Sequence, residues 1–212
     1  MRLNPVSDNS DLFLLSIRKI INDILLKEMK SMEDINTIAL VSSFDEDGSG
    51  DIADYISYEF SDNGDKTILI SLKEESSGCN LKNKVREASA DGIIKTGNLN
   101  LDYLSLDNLK RTSEFVINKE SVKSLLNKLK EKYKRIIIDT SPLEENLSGF
   151  IAAISADGAY FVCNSKSNRG SMIHKYYSDL KDIGANVFGV IFNNAGKRIV
   201  RKIYKMDGRK HG

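Results

Sequence analysis

The feature that most constrains this chain is the alternation of short, nearly continuous apolar runs with longer segments of helical periodicity. An apolar run of five or six residues is typical of a strand buried on both faces. The predicted strands are Thr37–Ser42, Thr67–Leu72, Leu99–Leu104, Arg135–Asp139, Ala159–Cys163 and Asn186–Phe192. The predicted helices are Asp11–Lys30, Ile52–Phe60, Lys119–Tyr133, Leu147–Ser155 and Ser171–Ile183. This order predicts an α/β fold with a mostly parallel sheet, helices on both faces and right-handed crossovers.

Length and composition indicate one domain. The chain has 212 residues, of which 41% are hydrophobic and 29% charged, and this suffices for a single core. We therefore predict one domain over residues 1–212, with residues 1–36 as a helical lead-in and residues 196–212 as a basic tail. The formal charge of +1 gives no global field of the kind that marks nucleic-acid binders, so no nucleic-acid partner is expected.

The cysteines, the histidines and the N-terminus give no sign of special chemistry or targeting. Cys79 and Cys163 are far apart, and Cys163 lies in an apolar run that is typical of a buried structural thiol. His174 and His211 are isolated, so neither is assigned a metal.

The N-terminus lacks a signal-peptide pattern, and the apolar runs are shorter than the ~20 residues that span a bilayer. A cytoplasmic location is expected.

The loop after the first strand lies where a phosphate-binding loop would begin, because ligands of parallel sheets bind beyond the carboxyl ends of the strands. Such a loop needs glycines, a lysine for the phosphates and a Ser or Thr for magnesium. If Gly48 is the last glycine of that motif, Ser49 replaces the lysine and Gly50 replaces the metal-binding hydroxyl. Asp51 and its acidic neighbours would repel a nucleotide. One carboxylate about 5 Å from a phosphate charge costs roughly 3 kcal/mol at an effective dielectric of about 20.

Two other strand ends carry candidate ligand residues. Asp139, followed by Thr140, closes a hydrophobic strand and resembles a Walker B aspartate that holds magnesium through water. An aspartate in this place is as often a turn or capping residue, so both interpretations stay open. Asn193 follows the last strand, where it could face a base or form an Asx turn. The predicted vestigial nucleotide site comprises Gly48, Ser49, Gly50, Asp51, Asp139, Thr140 and Asn193.

The acidic loop also matches part of a calcium-binding pattern. Residues 45–52 fit the first eight positions of an EF-hand loop, including the glycine at the sixth and the apolar residue at the eighth. The twelfth position is Ile56 instead of a bidentate glutamate, and the preceding segment is a predicted strand. We therefore expect a solvated acidic loop without a metal. Asp45, Asp47 and Asp139 are the weak metal candidates.

Segments spread nearly from end to end carry a family resemblance. They are residues 4–7 (NPVS), 42–43 (SS), 100–104 (NLDYL), 113–115 (SEF), 130–142 (KEKYKRIIIDTSP), 156–158 (ADG) and 184–193 (GANVFGVIFN). Together they resemble the bacterial tyrosine kinases of capsule and exopolysaccharide synthesis, which belong to the MinD/ParA-like group of deviant P-loop ATPases. The resemblance implies that residues 1–212 form one degenerate P-loop NTPase-like domain.

The departures from this family fall on chemistry. Beyond the changed loop, the second acidic motif of the family is replaced by Ile70–Lys73, and Ser148 stands where an aspartate is common. The arginines that help the family to assemble rings have no match on the first helix. The family's C-terminal tyrosine cluster is reduced to Tyr204. The resemblance with these departures implies a pseudoenzyme that needs no cofactor, and ATP with magnesium would bind only if the degenerate site still works.

The implied function is that of a catalytically inactive, tyrosine-kinase-like regulatory or scaffolding protein of capsular or exopolysaccharide biosynthesis and export. The resemblance implies two kinds of partner: the cytoplasmic part of a membrane polysaccharide chain-length regulator, or an active homologue. The alternative from the enzyme class is a divergent ATPase or tyrosine autokinase that uses Asp139 and borrows Lys73 or Lys166 as its phosphate-binding lysine.

The C-terminal tail is basic and amphipathic. Ile199, Val200, Ile203 and Met206 recur at helical spacing among the basic residues Lys197, Arg198, Arg201, Lys202, Lys205, Arg209 and Lys210. Such a helix can lie on anionic lipid, or it can pack its apolar stripe on the sheet, which is the commoner use of a stripe. A peripheral position at the inner face of the plasma membrane stays open. So does a MinD/ParA-like membrane adaptor without a polysaccharide role.

Overall fold

The computed structural model describes residues 9–73, 91–113, 115–166 and 169–194, with side chains from residue 13 onwards. Within these residues a sheet of seven strands forms the centre. The strands are β1 (Thr37–Ser42), β2 (Thr67–Ser71), β3 (Ile94–Lys95), β4 (Leu101–Ser105), β5 (Arg135–Asp139), β6 (Gly158–Asn164) and β7 (Val187–Asn193). The helices are α1 (Asn9–Ser31), α2 (Ser49–Asp62), α3 (Leu106–Thr112), α4 (Lys119–Lys130), α5 (Ser148–Ser155) and α6 (Gly170–Asp182).

The strand order in the sheet is β3-β4-β2-β5-β1-β6-β7. Every neighbouring pair is parallel except β3 with β4, which is antiparallel. Asp139 at the end of β5 pairs in register with Ser71 on one side and Leu40 on the other. The predicted mostly parallel α/β sheet is confirmed, and the carboxyl ends of β1, β2 and β5 lie side by side.

The helices cover both faces because alternate strand residues point to opposite sides. On β1, Ala39 and Val41 belong to the core under α3, α4, α5 and α6, whereas Ile38 and Leu40 belong to the core under α1 and α2. Helix α1 contributes an apolar stripe at i, i+4 and i+7 spacing to this second core, consisting of Ile17, Ile21 and Ile24. Each face of the sheet is therefore sealed by its own apolar cluster.

The buried charge at the amino end of β5 ties α1 to the sheet. The Arg135 guanidinium donates to both carboxylate oxygens of Glu28, to Asp65 Oδ2 at 3.1 Å and to the carbonyl oxygen of Ile35 at 2.6 Å. Its charge also lies 4.8 Å from the centre of the Phe60 ring. Each nitrogen of this guanidinium thus donates to a protein acceptor.

The structure differs from the sequence prediction mainly at short elements and helix ends. Strand β3 and helix α3 were not predicted, because a strand of two residues and a helix of seven carry too little periodicity. Helix α2 begins at Ser49, three residues before its predicted start. Gly48 causes this, since its φ of 75° lets the chain turn from a 3₁₀ turn at Asp45–Asp47 directly into the helix.

Several expectations concern segments that the structure leaves undescribed. Cys79, His211, Tyr204 and the basic tail at 196–212 lie outside the described residues, whereas Cys163 is described and buried. Burial raises the pKa of the Cys163 thiol to about 11, with Asp47 as a further cause. Among the helices that the structure describes, none is long and apolar enough to cross a membrane.

Candidate functional site

In the loop between β1 and α2, the side chain of Asp47 binds backbone N–H groups of the loop itself. Asp47 is fully buried, and its Oδ2 accepts hydrogen bonds from the backbone N–H groups of Ser43 at 3.1 Å and Phe44 at 3.0 Å. Its Oδ1 accepts a third from the N–H of Asn164 at 2.8 Å, at the end of β6. The carboxylate therefore supports the loop from inside and is not directed to a ligand.

Gly48 lies between this loop and the end of β7. A Cβ atom at Gly48 would stand 2.5 Å from Asn193 Nδ2, in addition to the positive φ of 75°. The Asn193 amide instead donates a hydrogen bond to the carbonyl oxygen of Asp47 at 2.9 Å. Asn193 thus acts as a tie between β7 and the loop, a role the sequence did not suggest.

Asp139 is joined to two elements at once. Lys73, two residues beyond β2, places its Nζ 3.0 Å from Asp139 Oδ2. Ser49 Oγ, in the first turn of α2, donates to Asp139 Oδ1 at 3.1 Å, and it also accepts a hydrogen bond from Ser42 Oγ at 3.4 Å. The side chains of Lys73 and Asp139 are only 21% and 9% exposed. The Ser49 hydroxyl and the Lys73 ammonium therefore each occupy one oxygen of the Asp139 carboxylate.

Burial dominates the protonation of Asp139. Removal from water raises the pKa of this carboxyl above its ordinary value, and the Lys73 charge, the hydrogen bonds from Lys73 and Ser49 and the Thr140 backbone act in the opposite direction. A carboxylate so far from water depends on a cation beside it. Lys73 supplies that cation from within the chain.

Gly50 and Thr140 leave the magnesium position without its usual hydroxyl ligands. A Cβ atom on Gly50 would lie 3.2 Å from both Lys73 Nζ and Asp139 Oδ2, so a side chain here would press on the ion pair. The Thr140 hydroxyl is buried and donates to the carbonyl oxygen of Leu40 at 3.3 Å. Neither residue offers an oxygen to a metal at Asp139.

An open cavity of about 590 Å³ lies over the loop. Three carboxylates line it, those of Asp45, Glu46 and Asp51, and no lysine or arginine is found among its described lining residues. One of the three is partly neutralised, since Arg169 Nη1 lies 3.4 Å from Glu46 Oε1. The field in this cavity therefore disfavours an anion such as a nucleotide phosphate.

The residues that are present do not fit a magnesium nucleotide. Lys73 takes up the charge of Asp139, Gly50 has no hydroxyl to offer a metal, and carboxylates line the open cavity over the loop. Within the described part of the chain, no group of three or more His, Cys, Asp or Glu side chains is arranged to hold a metal. Of the weak metal candidates, Asp47 is used by backbone N–H groups, and Asp139 by Lys73 and Ser49.

The structure brings all seven predicted site residues to the carboxyl edge of the sheet, but in unexpected roles. Asp51 lines the cavity, whereas Ser49 and Asp139 bond to each other. From the sequence, Lys73 had only the role of a borrowed phosphate-binding lysine. That Lys73 is the partner of Asp139 was not predicted. The sequence signal was partial: Lys73 follows one predicted strand and Asp139 ends another, but only the fold makes these two strands neighbours. Lys166, the other lysine considered, is exposed.

Comparison with solved structures identifies related folds. No protein-family model and no curated protein matches the sequence. The kinase domain of the Escherichia coli tyrosine kinase Etk is similar over 93% of this chain and 83% of its own, with a TM-score of 0.74 and 15% identity. The chimerical protein CapA2B2 is similar over 92% and 88%, with a TM-score of 0.71 and 20% identity.

The likeness extends to ATPases outside the kinases. The MinD cell division protein of Aquifex aeolicus is similar over 79% of this chain and 72% of its own, with a TM-score of 0.61 and 20% identity. At such identities the likeness concerns the fold. The chain therefore has the P-loop fold that a bacterial tyrosine kinase domain shares with MinD.

Proposed function

We propose that this protein is a non-catalytic, tyrosine-kinase-like regulatory or scaffolding subunit of capsular or exopolysaccharide biosynthesis and export. The observation that carries the proposal is the state of Asp139, which is bonded to Lys73 and Ser49 instead of facing a metal. With Asp139 held in an internal ion pair, the domain would not catalyse phosphoryl transfer. Its surfaces would still be available for contacts with other proteins. No cofactor is part of the proposed function.

The proposed partner is the cytoplasmic part of a membrane polysaccharide chain-length regulator, or an active homologue. Support comes from the sequence segments that resemble the capsular and exopolysaccharide kinases and from the fold of the Etk kinase domain. Affinity capture of the full chain with such a cytoplasmic segment should recover a complex with and without ATP. Binding that appears only with ATP would contradict a nucleotide-independent scaffold.

An assay of catalysis tests the proposal directly. The full chain, incubated with ATP and magnesium, is expected to show neither ATP hydrolysis nor tyrosine autophosphorylation above a blank. Asp139→Ala should give the same result, because Asp139 has no catalytic task in this account. Hydrolysis by the wild type that Asp139→Ala abolishes would overturn the proposal.

The competing function is a divergent ATPase or autokinase, and one observation favours it. Lys73 places an ammonium group beside Asp139, so a lysine does lie at this end of the sheet. In that case Lys73 would have to leave Asp139 and bind phosphate, and Lys73→Met would abolish nucleotide binding. Lys166→Met is the matched control, since Lys166 is exposed.

The proposed location is cytoplasmic, with peripheral contact to the inner face of the plasma membrane through the basic tail. The support is the sequence of residues 197–210, where basic residues flank an apolar stripe. Flotation with anionic vesicles should recover the full chain but not a chain truncated after Gly196. Equal recovery of the two chains would exclude the tail as the membrane contact.

A further inference from the structure

Lys73 is held in place by the sheet itself. The ladder between β2 and β5 continues one residue past β2, because the Leu72 N–H donates to the carbonyl oxygen of Asp139 at 2.9 Å. Leu72 is buried, so the chain cannot swing away at this point without exposing it. The residue after Leu72 therefore enters the site at a fixed position, next to the carboxylate of Asp139.

The ion pair lies where the ends of three elements meet. Lys73 follows β2, Asp139 ends β5, and Ser49 begins α2. Asp139 Oδ2 accepts from Lys73 Nζ at 3.0 Å and Oδ1 accepts from Ser49 Oγ at 3.1 Å, so both carboxylate oxygens are engaged. An exposed surface pair contributes little, but this carboxylate is only 9% exposed and would be costly without its cation.

The first turn of α2 closes over the pair. A Cβ atom added to Gly50 would lie 3.2 Å from Lys73 Nζ and from Asp139 Oδ2, so little space is left between the helix and the pair. Magnesium binds with near-octahedral geometry and usually keeps several waters. A hydrated ion at Asp139 would therefore have to displace Lys73 from the carboxylate.

We propose that the Lys73 ammonium permanently takes the place of a divalent cation at Asp139, so that the end of β2, the end of β5 and the start of α2 are linked there without metal or nucleotide. The inference rests on the proposed non-catalytic function, since a catalytic site would have to admit the metal. It adds a specific role for Lys73, that of a positioning residue which replaces a ligand by a side chain.

Thermal unfolding of nucleotide-free full-length variants, with and without Mg²⁺ at matched ionic strength, tests the proposal. The wild type should have the same Tm in both conditions. Lys73→Ala should lose about 5–10 °C, because a buried acid loses its cation. Mg²⁺ should then restore about 2 °C or more to Lys73→Ala by binding the opened site, with metal alone as the probe. Lys73→Arg, which keeps the charge, should remain insensitive to Mg²⁺.

The double variant Lys73→Ala/Asp139→Asn is the matched control. It should regain part of the lost Tm, since no unpaired charge remains, and it should not respond to Mg²⁺. If Lys73→Ala does not fold, Lys73→Gln gives the same comparison with a neutral donor in place. An unchanged Tm in Lys73→Ala or Lys73→Gln, or a lowered Tm of these two variants that Mg²⁺ does not raise, overturns the inference.

Failure of this inference is distinguishable from failure of the proposed function. If Mg²⁺ does not raise the Tm of Lys73→Ala, the role proposed for Lys73 is wrong, but the proposal of a non-catalytic protein is unaffected. ATP hydrolysis by the wild type would remove the proposed function, whatever the Tm of the Lys73 variants.

Discussion

Strand β5 carries a buried charge at each end, and the two ends are built differently. At the amino end, Arg135 is surrounded by two carboxylates, a carbonyl oxygen and an aromatic ring. At the carboxyl end, Asp139 has one lysine and one hydroxyl, and an acidic cavity lies over the loop between β1 and α2. The side chain of Arg135 is 2% exposed and that of Asp139 is 9% exposed.

The difference separates a charge that is saturated by protein partners from a charge at the edge of the sheet where parallel α/β folds bind ligands. The amino end of a parallel sheet has no ligand to bind, so its buried charge can be saturated by the protein. The carboxyl end is where this fold binds ligands, and there Lys73 supplies the countercharge from one side only. Four predictions test this contrast, in order of decreasing effect.

The largest effect is expected for Arg135→Met. Removing the guanidinium leaves the carboxylates of Glu28 and Asp65 without their buried partner, which should cost about 3–5 kcal/mol of unfolding free energy. Urea denaturation measures this loss. Lys134→Met is the control, because Lys134 Nζ contacts the same Asp65 at 2.7 Å but is 61% exposed, and it should cost at most about 1 kcal/mol. Equal losses would contradict the special role of Arg135.

The next effect concerns an acid at the carboxyl end that is not part of the ion pair. Asp47→Ala removes three hydrogen bonds from backbone N–H groups, two of them buried, and should cost about 2–4 kcal/mol. Asp45→Ala, two residues away on the exposed side of the loop, should change stability by less than about 0.5 kcal/mol. Chemical denaturation of both variants would show whether Asp47 supports the loop. A neutral Asp47→Ala would mean that it does not.

Glu28 gives the amino end a dependence on pH. Burial raises its pKa, but the hydrogen bonds and charge of Arg135 and the Ile35 N–H more than reverse this, so the pKa lies below its ordinary 4.5. A lowered folded pKa stabilises the protein above the unfolded pKa, and this contribution disappears as pH falls through the folded value. The stability gap between wild type and Glu28→Gln should be constant above pH 4.5 and narrow below it. Urea midpoints of the two proteins across this pH range measure the gap. A gap in stability that widens in acid would contradict the prediction.

The smallest effect is expected for Lys130→Met. Lys130 Nζ contacts Asp157 Oδ1 at 2.8 Å, but the two side chains are 32% and 27% exposed, so its loss should cost about 1 kcal/mol or less and shrink further in salt. Asp157→Ala should cost more, because the other oxygen accepts from the N–H groups of Asn36 and Thr37 at 2.9 and 2.8 Å. If Lys130→Met were as harmful as Asp157→Ala, the exposed pair would matter more than the backbone contacts.

Sequence reasoning succeeded where periodicity was strong and failed where placement depended on neighbours. The strand ending in Asp139 was predicted to the residue, because its apolar run is continuous. Helix α2 was predicted to start late, since Gly48 and the 3₁₀ turn before it carry no periodic signal. Lys73 was not assigned to Asp139, because the two residues meet only once β2 and β5 are adjacent.

Asp47 shows a second limit of sequence reasoning. Among consecutive acids, nothing in the sequence distinguishes the one that turns inward from those that face water. The 3₁₀ turn at Asp45–Asp47 makes that distinction by directing Asp47 toward the N–H groups of Ser43 and Phe44. The partial match to a calcium loop is therefore a match of residue types. One of its acids, Asp47, accepts hydrogen bonds from backbone N–H groups of the same loop.

A calorimetric titration of the wild-type full chain with ADP and with ATP, each in magnesium, tests most directly whether the ligand site has been given up. With Asp139 bonded to Lys73 and carboxylates lining the cavity, we predict no binding heat from a protein that circular dichroism shows to be folded. Saturable binding that Asp139→Ala abolishes would show that the site still admits a magnesium nucleotide, and it would contradict the interpretation of Lys73 as a built-in cation.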